Sequence, residues 1–332
     1  MSDWLRRARP DPFIVVLFLT VLAATFFPAV GTVADVLTPV STAAIVVLFF
    51  LHGARLPREN IVSALGHWRL HVTILGVTFV VFPLLGFALS AAWPGLLPAA
   101  LWGGVLFLCA LPSTVQSSIA FTSIARGNVA GTVTAAAASN VLGIGISPLI
   151  AAQLTQGQAA DISLSGVWKI VLQLLFPFVL GHLARPWIAD WAAKRKGLLA
   201  ITDRGTIILA VYIAFSAAVL DGIWHQMPLQ TIVVLLAVCT LLLTVVLLVT
   251  RYGARVLGFA REDEISIVFC GSKKSLVTGV PMARVMFPAA DAGAVILPLM
   301  LFHQIQLIVC AWLARRYAAQ AAALEKPSEE VT

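Results

Sequence analysis

Residues 269–281 read FCGSKKSLVTGVP. Two adjacent lysines, Lys273 and Lys274, stand in a chain of 332 residues that is 60% hydrophobic and 11% charged. A soluble domain carries about 25% charged residues. The composition is that of a polytopic membrane protein, and several apolar runs reach the ~20 residues that cross a bilayer as helix. Arg261 precedes Lys273 by twelve residues and Arg284 follows Lys274 by ten. At 1.5 Å per residue these intervals are about 18 and 15 Å. The lysines therefore fall near the middle of a hydrocarbon core roughly 30 Å thick. A charge at that depth costs about 2.5–3.5 kcal/mol on insertion scales. Neighbours on a regular helix point roughly 100° apart, so both lysines face one cavity only if the backbone opens. Gly271, with Ser272 and Ser275 beside it, supplies the freedom to open.

Outward from this stretch, ten hydrophobic segments run over about 13–30, 36–53, 69–92, 97–125, 129–153, 166–184, 203–220, 228–250, 262–288 and 291–314. Their connections are short, which leaves no room for a soluble domain. The basic start, MSDWLRRARPDPF, leads into a first span that is expected to be retained, because no small-residue cleavage site follows. With the N-terminus on the cytoplasmic side, eighteen of the 22 lysines and arginines fall on that side. Lys169 and Arg284 fall on the other, and the remaining two are Lys273 and Lys274. That bias sets an orientation with both termini cytoplasmic. It also accounts for the +7 charge without nucleic acid. Trp68, Trp187, Trp191 and Trp312 mark inner boundaries; Trp93, Trp168 and Trp224 mark outer ones. Short loops and termini suggest a bacterial inner membrane. A C-terminal tail is expected over 319–332, with disorder only after about Ala323.

Ten spans divide into two fives, 1–160 and 161–318. An odd number of spans per repeat forces the second copy to insert upside down, a recurrent transporter plan. The fourth segment, LFLCALPSTVQSSIAFTSIARGN, is interrupted by PSTVQSS; the ninth is interrupted by GSKKS at the same ordinal place. Corresponding interrupted helices point to a transport site. Every acid, from Asp3 to Glu330, lies in a loop, a tail or a span end, so none stands ready to pair with the lysines. Balance must come from an incoming anion, from carbonyls and hydroxyls, or from loss of a proton. His303, with Gln304 and Gln306, is the other deep ionisable group. It reads equally as a bond between packed spans or as a proton or substrate contact. Ser139 and Asn140 read as hydrogen-bonding groups of segment five, with a ligand role as the alternative. Cys109, Cys239, Cys270 and Cys310 have no CxxC spacing and read as free, buried thiols. The chain shows no paired carboxylates, HExxH, GxSxG or P-loop, and so neither a hydrolase nor an ATPase is expected. A lysine Schiff base is disfavoured by the lack of a deep carboxylate counter-ion.

At PSTVQSSIAFTSIARGN (112–128) and FCGSKKSLVTGVPMA (269–283), and in the ten-span pattern, the chain resembles the bile acid:sodium symporter family in its bile-acid-symporter-like branch. The resemblance implies two inverted five-helix repeats, a panel domain against a core domain, broken helices four and nine crossing in the core, and alternating access. In better-known members sodium binds at the crossing. By resemblance, Ser117 and Ser118 fall where those members have Ser-Asn ligands, and Thr132 near a hydroxyl ligand. Ala136 stands where another ligand is expected. Alignment on Gly271 puts Phe269 at a ligand glutamate and Lys273 and Lys274 at a Gln-Asn pair. An ammonium is thus expected in the place of sodium, donating to Gln116, Ser117, Ser118 and open carbonyls. The expected solute is a small or amphipathic organic anion, with sodium or proton coupling open. A membrane regulator with a frozen site is the rival class.

Overall fold

The structure, a computed structural model, describes residues 12–55, 67–155, 171–222 and 228–325. Those residues form helices and connections without a strand. The helices are α1 (Pro12–Phe26), α2 (Thr32–Arg55), α3 (Trp68–Ala92), α4 (Ala99–Ala110), α5 (Gln116–Ile124) and α6 (Val129–Leu154). They continue as α7 (Phe176–Leu183), α8 (Arg185–Lys194), α9 (Lys196–Leu220), α10 (Leu229–Val256), α11 (Arg261–Gly271), α12 (Leu276–Met286) and α13 (Ala289–Glu325). Six of them, α2, α3, α6, α9, α10 and α13, are long and apolar enough to cross a bilayer. Large apolar side chains such as Leu19, Phe87, Leu149, Val233 and Ile308 point outward. A water-soluble surface would not tolerate such a belt, whereas lipid matches it.

The short half-helices form the inside. All residues of α4 from Leu101 to Ala110 are buried, as are Glu264 to Gly271 of α11 and most of α12. A helix apolar all round belongs in the core, and α4 packs there against α3, α6 and α13. Around the rim, α2 and α7 meet at closest approach. A Cβ on Gly53 would come 1.9 Å from the Phe178 carbonyl oxygen, and one on Gly181 would come 1.9 Å from that of Phe50. Small residues let helix backbones approach where no hydrophobic force drives them together. Arg55 of α2 forks onto Asp203 of α9 at 2.8 and 3.2 Å.

Among the described residues, helices occupy the expected apolar segments, and the fourth and ninth are broken at PSTV and SKKS. Three features were not legible. First, α8 is an additional helix with Trp187 and Trp191 exposed one turn apart. Its residues fall between the expected segments 166–184 and 203–220, where Pro186 suits a first helical turn and the tryptophans suit an interface. Second, α13 runs through Glu325, so the expected tail is helical to that point. Its AAQAAALE end is made of strong helix formers. Third, π turns widen the backbone at Val77–Val81 and Val171–Leu175, each just before a Phe-Pro pair. Expectations for the N-terminal arginines, Asp161, Trp168, Lys169, Trp224 and residues 326–332 lie outside the described residues.

Candidate functional site

Both breaks have local causes. Leu111, held extended at φ −71° and ψ 154°, ends α4. The residue before a proline is driven out of the helical region, and Pro112 offers no N–H to continue the ladder. At the second break, Ser275 leaves helical geometry and caps α12, accepting from the Thr278 N–H at 3.2 Å. A serine competes in this way with the helix backbone.

The breaks are bonded to each other. Ser275 N–H donates to the Pro112 carbonyl at 2.9 Å. Ser113 Oγ donates to the Cys270 carbonyl at 2.6 Å, and Ser118 Oγ to that of Phe269 at 3.1 Å. α6 supports both from one side. Ser139 Oγ accepts from Ser113 N–H at 3.0 Å, Asn140 Nδ2 donates to the Ser113 carbonyl at 2.8 Å, and Asn140 Oδ1 accepts from Thr278 Oγ1 at 3.0 Å. The carbonyls that the half-helices leave orphaned at their C-termini therefore converge on one polar patch in an apolar core.

Lys274 reaches into this patch. Its Nζ donates to the carbonyls of Leu111 at 2.7 Å, Cys109 at 2.8 Å and Thr78 at 2.9 Å, and sits 4.1 Å above the Phe82 ring. The side chain is fully buried. Cys109 and Leu111 lie at the end of α4, where the helix dipole favours a cation. Thr78 contributes for a different reason. In the π turn the Phe82 N–H is given to Val77 O, so the next donor, for Thr78 O, would be residue 83. Residue 83 is proline and has none. Lys274 supplies the missing hydrogen bond.

Lys273 points elsewhere. It is also fully buried, 4.1 Å above the Phe121 ring, with the Cys310 and Cys270 thiols nearby. Its Nζ has no oxygen or nitrogen partner among the described residues, and the Cys310 thiol is the polar group that meets it. The opened backbone thus lets the two lysines diverge rather than share a cavity. The expected donation to Gln116, Ser117 and Ser118 is not what the structure has. Ser118 Oγ donates to Phe269, Ser117 bonds Thr114 Oγ1 at 2.6 Å, and Gln116 is exposed at the start of α5. Thr132 donates to Thr122 Oγ1 at 3.2 Å, both buried. Ser272 Oγ returns to its own helix at Val268 O.

His303 lies on α13, half-buried, its Nδ1 2.8 Å from Gln306 Nε2. Gln306 grips the break: Oε1 accepts from Lys274 N–H at 2.9 Å, and Nε2 donates to the Lys274 carbonyl at 3.1 Å. Among the described residues Glu264 is the buried acid, and its partners are Arg255 at 2.9 and 3.2 Å and the Tyr317 hydroxyl at 3.0 Å rather than a lysine. The sequence reading missed Thr78, Phe82, Ser113, Phe121 and Thr278. The Phe-Pro pair in segment three and the aromatic three residues after Ser118 were the signals that could have found two of them.

The chain matches the model of the SBF-like CPA transporter family (DUF4137) over residues 11–319. It is 51% identical to "Putative symporter YfeH" of Escherichia coli K12, over 96% of each chain. It is 50% identical to the Pseudomonas aeruginosa protein PA2026, over 97% of this chain and 98% of that one. It is 27% identical to "Sodium/bile acid cotransporter 7" of the mouse, over 92% of each.

Proposed function

This chain belongs to the SBF-like CPA transporter family, and from that premise we propose that it is a secondary-active transporter of a small or amphipathic organic anion. It sits in the bilayer as an integral membrane protein, in a bacterial inner membrane with both termini cytoplasmic. On this reading 1–160 and 161–318 are two inverted five-helix repeats, 319–332 is the tail, and alternating access moves a panel domain against a core holding the crossed half-helices. The breaks at corresponding places in the two halves support the repeat. Family membership speaks against an enzyme.

The observation that carries the proposal is the buried Lys274 ammonium on three main-chain carbonyls at the crossing. Broken helices of transporters present such carbonyls to a coupling cation. Here the cation is covalent. The residues do not fit sodium: Phe269, not a carboxylate, faces this region, the carbonyls are engaged, and a second lysine stands on the adjacent residue. Lys273, whose Nζ meets a thiol and an aromatic face but no oxygen or nitrogen acceptor in this conformation, is the group suited to meet an anion.

The test is a thermal-shift screen of purified protein against organic anions in sodium and in choline salts. Stabilisation by an anion, equal in both salts, is expected. Stabilisation that requires sodium would overturn the lysine-for-sodium reading in favour of a sodium-coupled symporter. A folded protein in liposomes that moves none of the panel would favour a membrane regulator.

A further inference from the structure

The contact between Gln306 and His303 constrains where a proton can sit. The Gln306 amide is pinned by a single residue: its oxygen accepts from the Lys274 N–H at 2.9 Å and its nitrogen donates to the Lys274 carbonyl at 3.1 Å. Exchanging the oxygen and nitrogen would set donor against donor and acceptor against acceptor, so the orientation is unique. The second hydrogen of Nε2 then faces His303 Nδ1 at 2.8 Å. That ring nitrogen must carry a lone pair, and in this conformation His303 is neutral with its proton on Nε2. A proton arriving at Nδ1 would meet an N–H. Gln306 has to withdraw to admit it, and its withdrawal strips both hydrogen bonds from the peptide groups of Lys274. Those groups lie in the break that carries the ammonium tether.

We propose that His303 is the coupling-proton site of this transporter and that its protonation unclasps the second helix break through Gln306. The proposal rests on the reading of the chain as a secondary transporter. The proton comes from water to Nδ1 on one side of the membrane and returns to water from Nδ1 on the other; no covalent bond to carbon changes. His303 is half-buried, whereas Gln306 and Lys274 are fully buried. The titratable groups around this stretch of α13 come from several elements: Lys273 and Lys274 between α11 and α12, Cys270 on α11, Cys109 on α4, Cys239 on α10 beside the Pro298 carbonyl, and Cys310 on α13 itself. The sign follows by linkage. The clasped state excludes the proton, so the clasp holds at high pH and is lost as pH falls.

The experiment is hydrogen–deuterium exchange of the full-length protein between pH 5.5 and 8, read on peptides covering 269–281 and divided by the intrinsic exchange rate at each pH. Opening of the break in the wild type is expected to grow on acidification, toward the limit of about tenfold per pH unit for one proton. His303→Asn offers an acceptor oxygen in place of Nδ1 that does not titrate, and its exchange is expected to be flat and low. Gln306→Leu removes the clasp, and its exchange is expected to be flat and high. A flat wild-type profile overturns the proposal, as does a slope that persists in either variant. Should one variant not fold, the other with the wild type decides. The series is run in sodium and in choline. Protection of the break by sodium alone would sink the sodium-free reading of the site, and the pH slope would still decide on His303.

Discussion

Lys273 and Lys274 are adjacent in sequence, identical in chemistry and equally buried, yet the structure treats them differently. Lys274 is fully bonded; Lys273 has an aromatic face and thiols for company. Truncating the first leaves carbonyls of α3 and α4 without a donor, and removing one partner of a buried charged network costs about 3–5 kcal/mol. Lys274→Met is therefore expected to lower the thermal midpoint sharply in every salt. Lys273→Met removes a buried amine that only thiols and an aromatic face attend, and forfeits a cation–π contact of about 2 kcal/mol. Relief of desolvation offsets that loss, so the midpoint should stay level or rise while stabilisation by anions disappears. Equal destabilisation by both substitutions would contradict the division of roles. That two charges lie deep was legible from their distance to Arg261 and Arg284. Their division was not, because it depends on which main-chain carbonyls lack a donor.

At the scale of elements, prolines decide where the backbone opens. Pro112 ends α4, and Pro83 leaves Thr78 O for Lys274 to claim. Restoring an N–H with Pro83→Ala gives Thr78 O a donor within its own helix. The π register is expected to gain one bond, and the thermal midpoint should fall as the lysine loses a ligand. An unchanged midpoint together with unchanged exchange protection at Val77–Val81 would refute the link. Glycines decide where helices touch. Gly53→Ala or Gly181→Ala drives a methyl into a facing main-chain oxygen, and overpacking costs about 1–3 kcal/mol or more where backbone must shift. Each is expected to lower stability, and the pair together less than additively because they share one contact. Both breaks could be read in the sequence from PSTV and SKKS. The π turn could not, since a proline inside an apolar run predicts a disturbance without saying which carbonyl it frees.

For the whole molecule, the distribution of basic residues and the network around Glu264 make separate claims. The excess of Lys and Arg on one side predicts that a fluorescent protein fused after Thr332 matures in the cytoplasm, whereas alkaline phosphatase at the same point stays inactive. The opposite pair of results would invert the topology. Glu264 ties α11 to α10 through Arg255 and to α13 through Tyr317. Glu264→Gln weakens a charge-assisted fork whose arginine is half exposed, so a loss of about 1–2 kcal/mol is expected. A thermal midpoint at the wild-type value would show that the latch contributes nothing.

The linear chain by itself determined that this is a helical membrane protein, where its apolar segments run, where two of them break and how far the lysines stand from the ends of their segment. Those properties follow from side-chain hydrophobicity and from which residues can donate a main-chain hydrogen bond, and both are local. Only the tertiary structure decided that Lys274 binds carbonyls 163, 165 and 196 residues away, that Lys273 turns to Phe121, and that Gln306 holds the break. Such partners are chosen by the packing of distant helices, which brings unsatisfied groups together in a medium with no water to replace them.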